Sequence, residues 1–178
     1  MKRLLAPAAI ALCLFVALSC WRWVGWQVVK SGIRRKFPEV PRIQTSELAA
    51  SLHDPHRAPP VLLDIREPAE YAVSHLPGAR RVEPGTDPAT LGLPRDRPIV
   101  TYCSVGYRSA VYGRALRAAG FRDVRNLEGS IFQWANEGRP IEQGTGQVAT
   151  KVHPYDKTWG LLLRPAVRAE PEGDPPKD

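Results

Sequence analysis

The spacing of apolar positions changes along the chain, and each change marks an element. An uncharged apolar run from Leu4 to Trp21 comes first. It is apolar on every side and precedes a complete domain, which predicts a helix outside that domain, serving as a membrane anchor or signal segment. Glu47, Leu48 and Leu52 then continue a helix that Thr45 or Ser46 can cap and that ends before His53 and Pro55. Val61-Leu62-Leu63 is apolar without alternation, the mark of a strand covered on both faces, and Asp64 ends it. Pro68 opens a short helix with Glu70 and Tyr71, and His75-Leu76-Pro77-Gly78-Ala79 is turn chemistry leading to a strand near Ala79 to Val82. A second buried strand, Ile99 to Tyr102, runs directly into Cys103. A helix from Tyr107 to Ala119 ends at Gly120, Val124 to Leu127 is a strand, and Gly129 to Glu137 is the closing helix. This alternation predicts an α/β fold, a mostly parallel central sheet with helices on both faces. Ligands in such folds bind beyond the carboxyl ends of strands, where Asp64 and Cys103 stand.

The pattern divides the 178 residues into an anchor or signal segment (1–29), a basic juxtamembrane linker (30–37), one domain (38–142), a linker with an aromatic and leucine-bearing segment (143–163), and a Pro-rich disordered tail (164–178). Trp21, Trp23 and Trp26 follow the apolar run as indole rings do at a headgroup layer, so a retained anchor is the preferred reading. Cleavage after Ser19 and lipid attachment at Cys20 are its rivals. Lys30, Arg34, Arg35 and Lys36 compete with Lys2 and Arg3 over orientation; the extracytoplasmic (periplasmic) face is preferred, with the cytoplasmic face as the alternative. Val152 to Leu163, with Tyr155 and Trp159, is expected to fold back onto the domain or the membrane, with no chemical role assigned.

A net charge of +7 fits an anionic substrate, an acidic membrane or nucleic acid. The basic residues are scattered and no zinc-finger or RNA-binding aromatic signature focuses them, so nucleic acid is not an expected partner. Cys13 and Cys20 lie in the apolar start, which leaves Cys103 alone in the domain and excludes a disulfide framework there. His53, His56, His75 and His153 have no metal-ligand spacing, and no metal is expected.

The chemistry concentrates in Cys103-Ser104-Val105-Gly106-Tyr107-Arg108-Ser109, between a buried strand and the amino end of a helix. Successive backbone N–H groups can curl there around one point and form an anion cradle. Gly106 permits the curl, Arg108 adds a cation, and the helix end adds roughly half a positive charge. All three favour a nucleophilic thiolate, because such surroundings lower a cysteine pKa from about 8.5. A cysteine ending a strand is often only a small buried apolar residue, but that reading leaves Gly106 and Arg108 unexplained.

From Pro38 to Glu142 the chain resembles a single-domain rhodanese of the thiosulfate sulfurtransferase family. The resemblance lies in Val61 to Glu67, Glu70-Tyr71, His75 to Ala79, Cys103 to Ser109, Gly120-Phe121, and Gly129 with Trp134, Gly138 and Pro140, all in family order. It implies that Cys103 attacks the outer sulfur of thiosulfate or a similar small anionic donor, forms a persulfide, and passes the sulfur to cyanide, a thiol or a protein acceptor. No cofactor beyond that transient persulfide is implied. The backbone from Ser104 to Ser109 would hold substrate, with Arg108 as the charged clamp, while Asp64 and Arg66 would brace the loop or form a purely structural ion pair. The resemblance also admits a non-catalytic rhodanese-like binding or redox-sensing module. The same fold hosts phosphatases and arsenate reductases, but in phosphatases five residues separate cysteine and arginine. Here four separate Cys103 from Arg108, a tighter ring that suits one sulfur atom better than a phosphate, and Tyr102 stands where many phosphatases have histidine.

Overall fold

The computed structural model describes residues 5–170, with side chains from residue 21 onward. Five parallel strands, β1 (Arg42–Ile43), β2 (Val61–Asp64), β3 (Arg80–Arg81), β4 (Ile99–Tyr102) and β5 (Val124–Leu127), form one sheet in the order β1-β5-β4-β2-β3. The unalternating runs have the predicted cause: neighbouring residues on a strand feed opposite faces. Leu62, Val100, Tyr102 and Leu127 enter one core cluster, whereas Leu63, Ile99 and Val124 enter the other.

The helices are α1 (Leu5–Lys36), α2 (Thr45–Leu52), α3 (Pro68–Val73), α4 (Tyr107–Ala118) and α5 (Ser130–Asn136). Along α4, buried Ser109, Ala110, Tyr112, Gly113 and Leu116 recur at helical spacing. Thr45 does not cap α2 as expected. Gln44 holds that position without a side-chain bond, while the Thr45 hydroxyl donates to Glu137 Oε2 at 2.6 Å and ties α2 to the end of α5.

Two segments depart from expectation. Residues 30–37 are not a linker: α1 continues through Lys36 and packs on the domain, with Trp26 and Val29 against the main core and Ile33 against Phe37, Val40 and Ala110. Arg34 donates to both carboxylate oxygens of Glu128, at 2.7 and 2.8 Å. The apolar run expected as an anchor has its side chains up to Cys20 outside the described residues, as do most of the Pro-rich tail and the Ser19 and Cys20 processing sites. Among the described residues no helix is long and apolar enough to cross a membrane. The linker expected from residue 143 begins inside a hairpin of β6 (Ile141–Gln143) and β7 (Gln147–Ala149), turned by Gly144 and Gly146 at positive φ. Beyond it, a strap reaches back across the domain. Val152 and Leu163 are buried, and Asn136 holds the strap by donating to the Leu162 carbonyl and accepting from the Arg164 N–H.

Candidate active site

Strand order locates the crevice. From β2 the chain runs outward to β3, and from β4 it runs the other way to β5, so connections leave adjacent strands in opposite directions. Such a switch point opens a gap beyond the carboxyl ends of the strands. Cys103 follows β4 at this gap and is 1 % exposed.

The loop after β4 wraps around the sulfur. Gly106 has φ +114°, a conformation that side chains rarely adopt, and its N–H donates to Cys103 Sγ at 3.2 Å. Gly106 is also the N-cap of α4 and no side chain caps that helix. The first amides of a helix have no intrahelical acceptor, so those of Tyr107, Arg108 and Ser109 remain available at this end.

Three neighbours hold the loop in shape. On β5, Asn126 donates through Nδ2 to the Gly106 carbonyl at 2.9 Å and accepts the Ser109 hydroxyl at 2.7 Å. Ser130, at the start of α5 with φ +50°, accepts the Cys103 N–H at 3.2 Å through its hydroxyl. From α3, across the crevice, buried Glu70 accepts the Ser104 hydroxyl at 2.6 Å and two nitrogens of Arg108 at 2.8 Å each. Burial pushes the Glu70 carboxyl up, but the Arg108 and Ser104 hydrogen bonds outweigh it and hold its pKa below the usual range. Burial likewise opposes the charge on Arg108, and Glu70 with the nearby Cys103 sulfur raises its pKa in spite of that.

The expected loop residues are thus brought together, but Asp64 and Arg66 do not brace them. Both are fully buried at the end of β2, and Arg66 is spent on Asp64, at 2.6 to 3.1 Å, and on the Ser74 carbonyl at 2.6 Å. Among the described contacts neither hydrogen-bonds to residues 103–109, and Arg66 Nη1 is left buried without a partner. Burial works against the Arg66 charge, yet adjacent Asp64 leaves its pKa raised. His75 is also structural: it stacks on Tyr71 at 3.9 Å, and its backbone pairs with Glu142 of β6. Burial, with Asp64 nearby, raises the Tyr102 phenol well above its ordinary pKa, and its oxygen accepts the Leu76 N–H. Among the described residues no three His, Cys, Asp or Glu side chains gather as metal ligands would.

Glu70, Asn126 and Ser130 went unassigned in the sequence. Glu70 lay within a noted motif, but a carboxylate beside a tyrosine in a short helix does not announce a partner 38 residues away. The segment from Val152 to Leu163 folds back onto the domain as expected, but it also reaches the cysteine, a role the sequence did not assign. Tyr155 and Trp159 join Cys103, Ser104, Val105, Tyr107 and Arg108 around a cavity of about 140 Å³. A larger one, about 310 Å³, lies at the opposite end of the strands between Glu47, Arg57, Pro98 and Arg125, away from the cysteine.

Residues 44–137 match the rhodanese-like domain family. A sulfurtransferase of Allochromatium vinosum is 39 % identical over 82 residues, covering 46 % of this chain and 77 % of that one. MoeZ of Mycobacterium tuberculosis, a probable adenylyltransferase/sulfurtransferase, is 38 % identical over 82 residues, but this chain spans only 21 % of its length. A tRNA uridine(34) hydroxylase of Cronobacter sakazakii is 32 % identical over 109 residues, of which this chain covers 30 %. Among solved structures, a rhodanese-like domain protein of Staphylococcus aureus superposes with a TM-score of 0.52 at 29 % identity, over 60 % of this chain and all of that one.

Proposed function

The chain belongs to the rhodanese-like domain family, and from that premise we propose that it is a sulfurtransferase carrying sulfane sulfur as a persulfide on Cys103. The observation that carries this reading is the 3.2 Å hydrogen bond from the Gly106 N–H to Cys103 Sγ, at a crevice where the α4 amides are uncapped. Those donors are placed to hold negative charge on the outer persulfide sulfur, in a water-poor site where fixed dipoles act strongly.

The donor is thiosulfate or a similar sulfane compound. The Cys103 thiolate attacks the outer sulfur and supplies the electron pair of the new S–S bond, while the pair of the old S–S bond departs with sulfite. A thiolate or cyanide then attacks the outer sulfur of the persulfide, and that bond's pair returns to Cys103. No oxidant or reductant enters. Arg108 and Ser104, fixed by Glu70, line the path of the donor. The test is intact mass after exposure to thiosulfate. One added sulfur atom that is absent in Cys103→Ser supports the reading, and an unchanged mass in the parent chain with thiosulfate and with an organic thiosulfonate alike overturns it.

The reading extends to location: segment 1–29 brings the domain to a membrane. Support comes from the outer face of α1, where Trp21, Trp23, Val24 and Val28 are exposed just before Lys30, Arg34, Arg35 and Lys36. Retention of the full chain in membranes washed with alkaline carbonate is expected. Complete release contradicts it.

A further inference from the structure

The crevice over Cys103 has walls of two kinds. Ser104, Val105, Tyr107 and Arg108 come from the loop and from α4, whereas Tyr155 and Trp159 come from the strap, beyond residues 44–137 that match the family. The strap is braced by its own hydrogen bonds. Val152 donates to the Val167 carbonyl at 2.7 Å, Ala169 donates to the Val152 carbonyl at 2.9 Å, and the Trp159 N–H is held by Asp156 at 2.8 Å. Tyr155 has φ +67°, a strained conformation for a tyrosine, and its ring faces the Arg108 guanidinium at 4.9 Å. Such strain persists where the surroundings over-determine it, and here it presents an aromatic face to the crevice.

Charge sorts what can enter. Arg108 is already matched by the Glu70 carboxylate at 2.8 Å, with Glu67 a further 3.9 Å neighbour, so it offers no unbalanced cation to a second negative charge. The loop amides serve one negative sulfur at the floor. The far end of a donor meets the faces of Tyr155 and Trp159, which are electron-rich and apolar. A dianion such as thiosulfate therefore loses hydration at its sulfonate end without compensation. An apolar body gains there, and the cavity, about 140 Å³, is close to the roughly 150 Å³ known to hold benzene.

We infer that Tyr155 and Trp159 are specificity-determining residues that favour singly charged organic sulfane donors, with an aryl or short alkyl body, over thiosulfate. This rests on Cys103 being the sulfur carrier. With an organic thiosulfonate, the Cys103 thiolate takes the terminal sulfur and the S–S bond pair leaves on an organic sulfinate, so atoms and charge balance as they do with thiosulfate and sulfite.

The test is steady-state transfer to cyanide by the full chain, with benzenethiosulfonate and thiosulfate as donors, in the parent, Tyr155→Ala, Trp159→Ala and Trp159→Phe. The parent should prefer benzenethiosulfonate by at least about tenfold in kcat/KM, the scale of one apolar contact in a binding pocket. Trp159→Ala and Tyr155→Ala should each lose about tenfold for that donor, mainly through KM, with thiosulfate changed by less than about threefold. Trp159→Phe, which keeps an aromatic face and the strap's packing, should retain the preference. Equal use of both donors by the parent, or equal losses for both in the alanine variants, overturns the inference and leaves the persulfide reading intact. Failure of both donors to load Cys103 overturns both.

Discussion

At the residue scale the site depends on one glycine and one carboxylate. Gly106 combines φ +114° with the N–H aimed at Cys103 Sγ. A Cβ there would contact Asn126 and Ile33 at an ordinary 3.5 Å, so the cost of Gly106→Ala is backbone strain rather than collision. That strain is about 1 to 2 kcal/mol, and sulfur loading measured by stopped intact-mass sampling should slow about tenfold as the amide rotates away. Unchanged loading would show that this amide is idle. Glu70→Gln leaves Arg108 without its counter-charge. The expected loss is about 2 to 3 kcal/mol in urea unfolding, below the cost of breaking a fully buried pair because Arg108 keeps an edge in solvent. Cys103, Gly106 and Arg108 were legible in the sequence because a cysteine, a glycine and a cation share one short loop. Glu70 was not, because its relation to that loop is a contact across the crevice. Asp64 and Arg66 were legible as a pair at a strand end that either braces the loop or serves structure alone, and burial decides for the structural pair.

At the element scale β4 and α4 supply the loop, and β5 sets its curvature through Asn126. Asn126→Ala removes both bonds and leaves the Ser109 hydroxyl and Gly106 carbonyl without their Asn126 partner. The expected cost is about 1 to 3 kcal/mol, with slower sulfur loading, and differential scanning calorimetry beside the mass assay checks both. Full stability with normal loading would remove Asn126 from the account. Strands β2 and β4 were readable because a sheet covered on both faces needs apolar runs without alternation, a mark that β5 (Val124-Arg125-Asn126-Leu127) lacks. Strand β1 has only two residues and takes its place by pairing with β5, so no local pattern foretold it. The β6–β7 hairpin was equally silent: Val148 points outward and is 88 % exposed, and the rest reads as polar loop.

At the scale of the whole molecule, a helix before the family-matched region and a strap after it meet over the site. Gly25 of α1 lies close to the Leu162 side chain, and Lys36 at the end of α1 donates to the Tyr107 hydroxyl. The 26, 29, 33 spacing of apolar residues in α1 was visible in the sequence, but the stronger apolar run before it drew the segment outside the domain. Electrostatics couples these pieces. The carboxyls of Glu70, Glu128 and Glu137 are buried enough to be pushed up, but all are held below the usual range by their hydrogen-bonding partners. An unfolded glutamate titrates near about 4.3, so on acidification the unfolded chain binds these protons first. Their stabilisation is therefore complete above that value and is lost as pH falls through the lower folded values. Urea midpoints should drop below about pH 4.3, less steeply in Glu70→Gln; a flat acid limb would contradict the ion-pair assignments. The central claim, that Cys103 carries the sulfur, has a direct measurement. A sulfane donor labelled in its outer sulfur is mixed with the full chain, freed of excess, peptide-mapped, and then discharged with cyanide. The account predicts one labelled sulfur on the Cys103 peptide, all of it recovered as thiocyanate. Label that reaches thiocyanate without ever residing on Cys103 contradicts it.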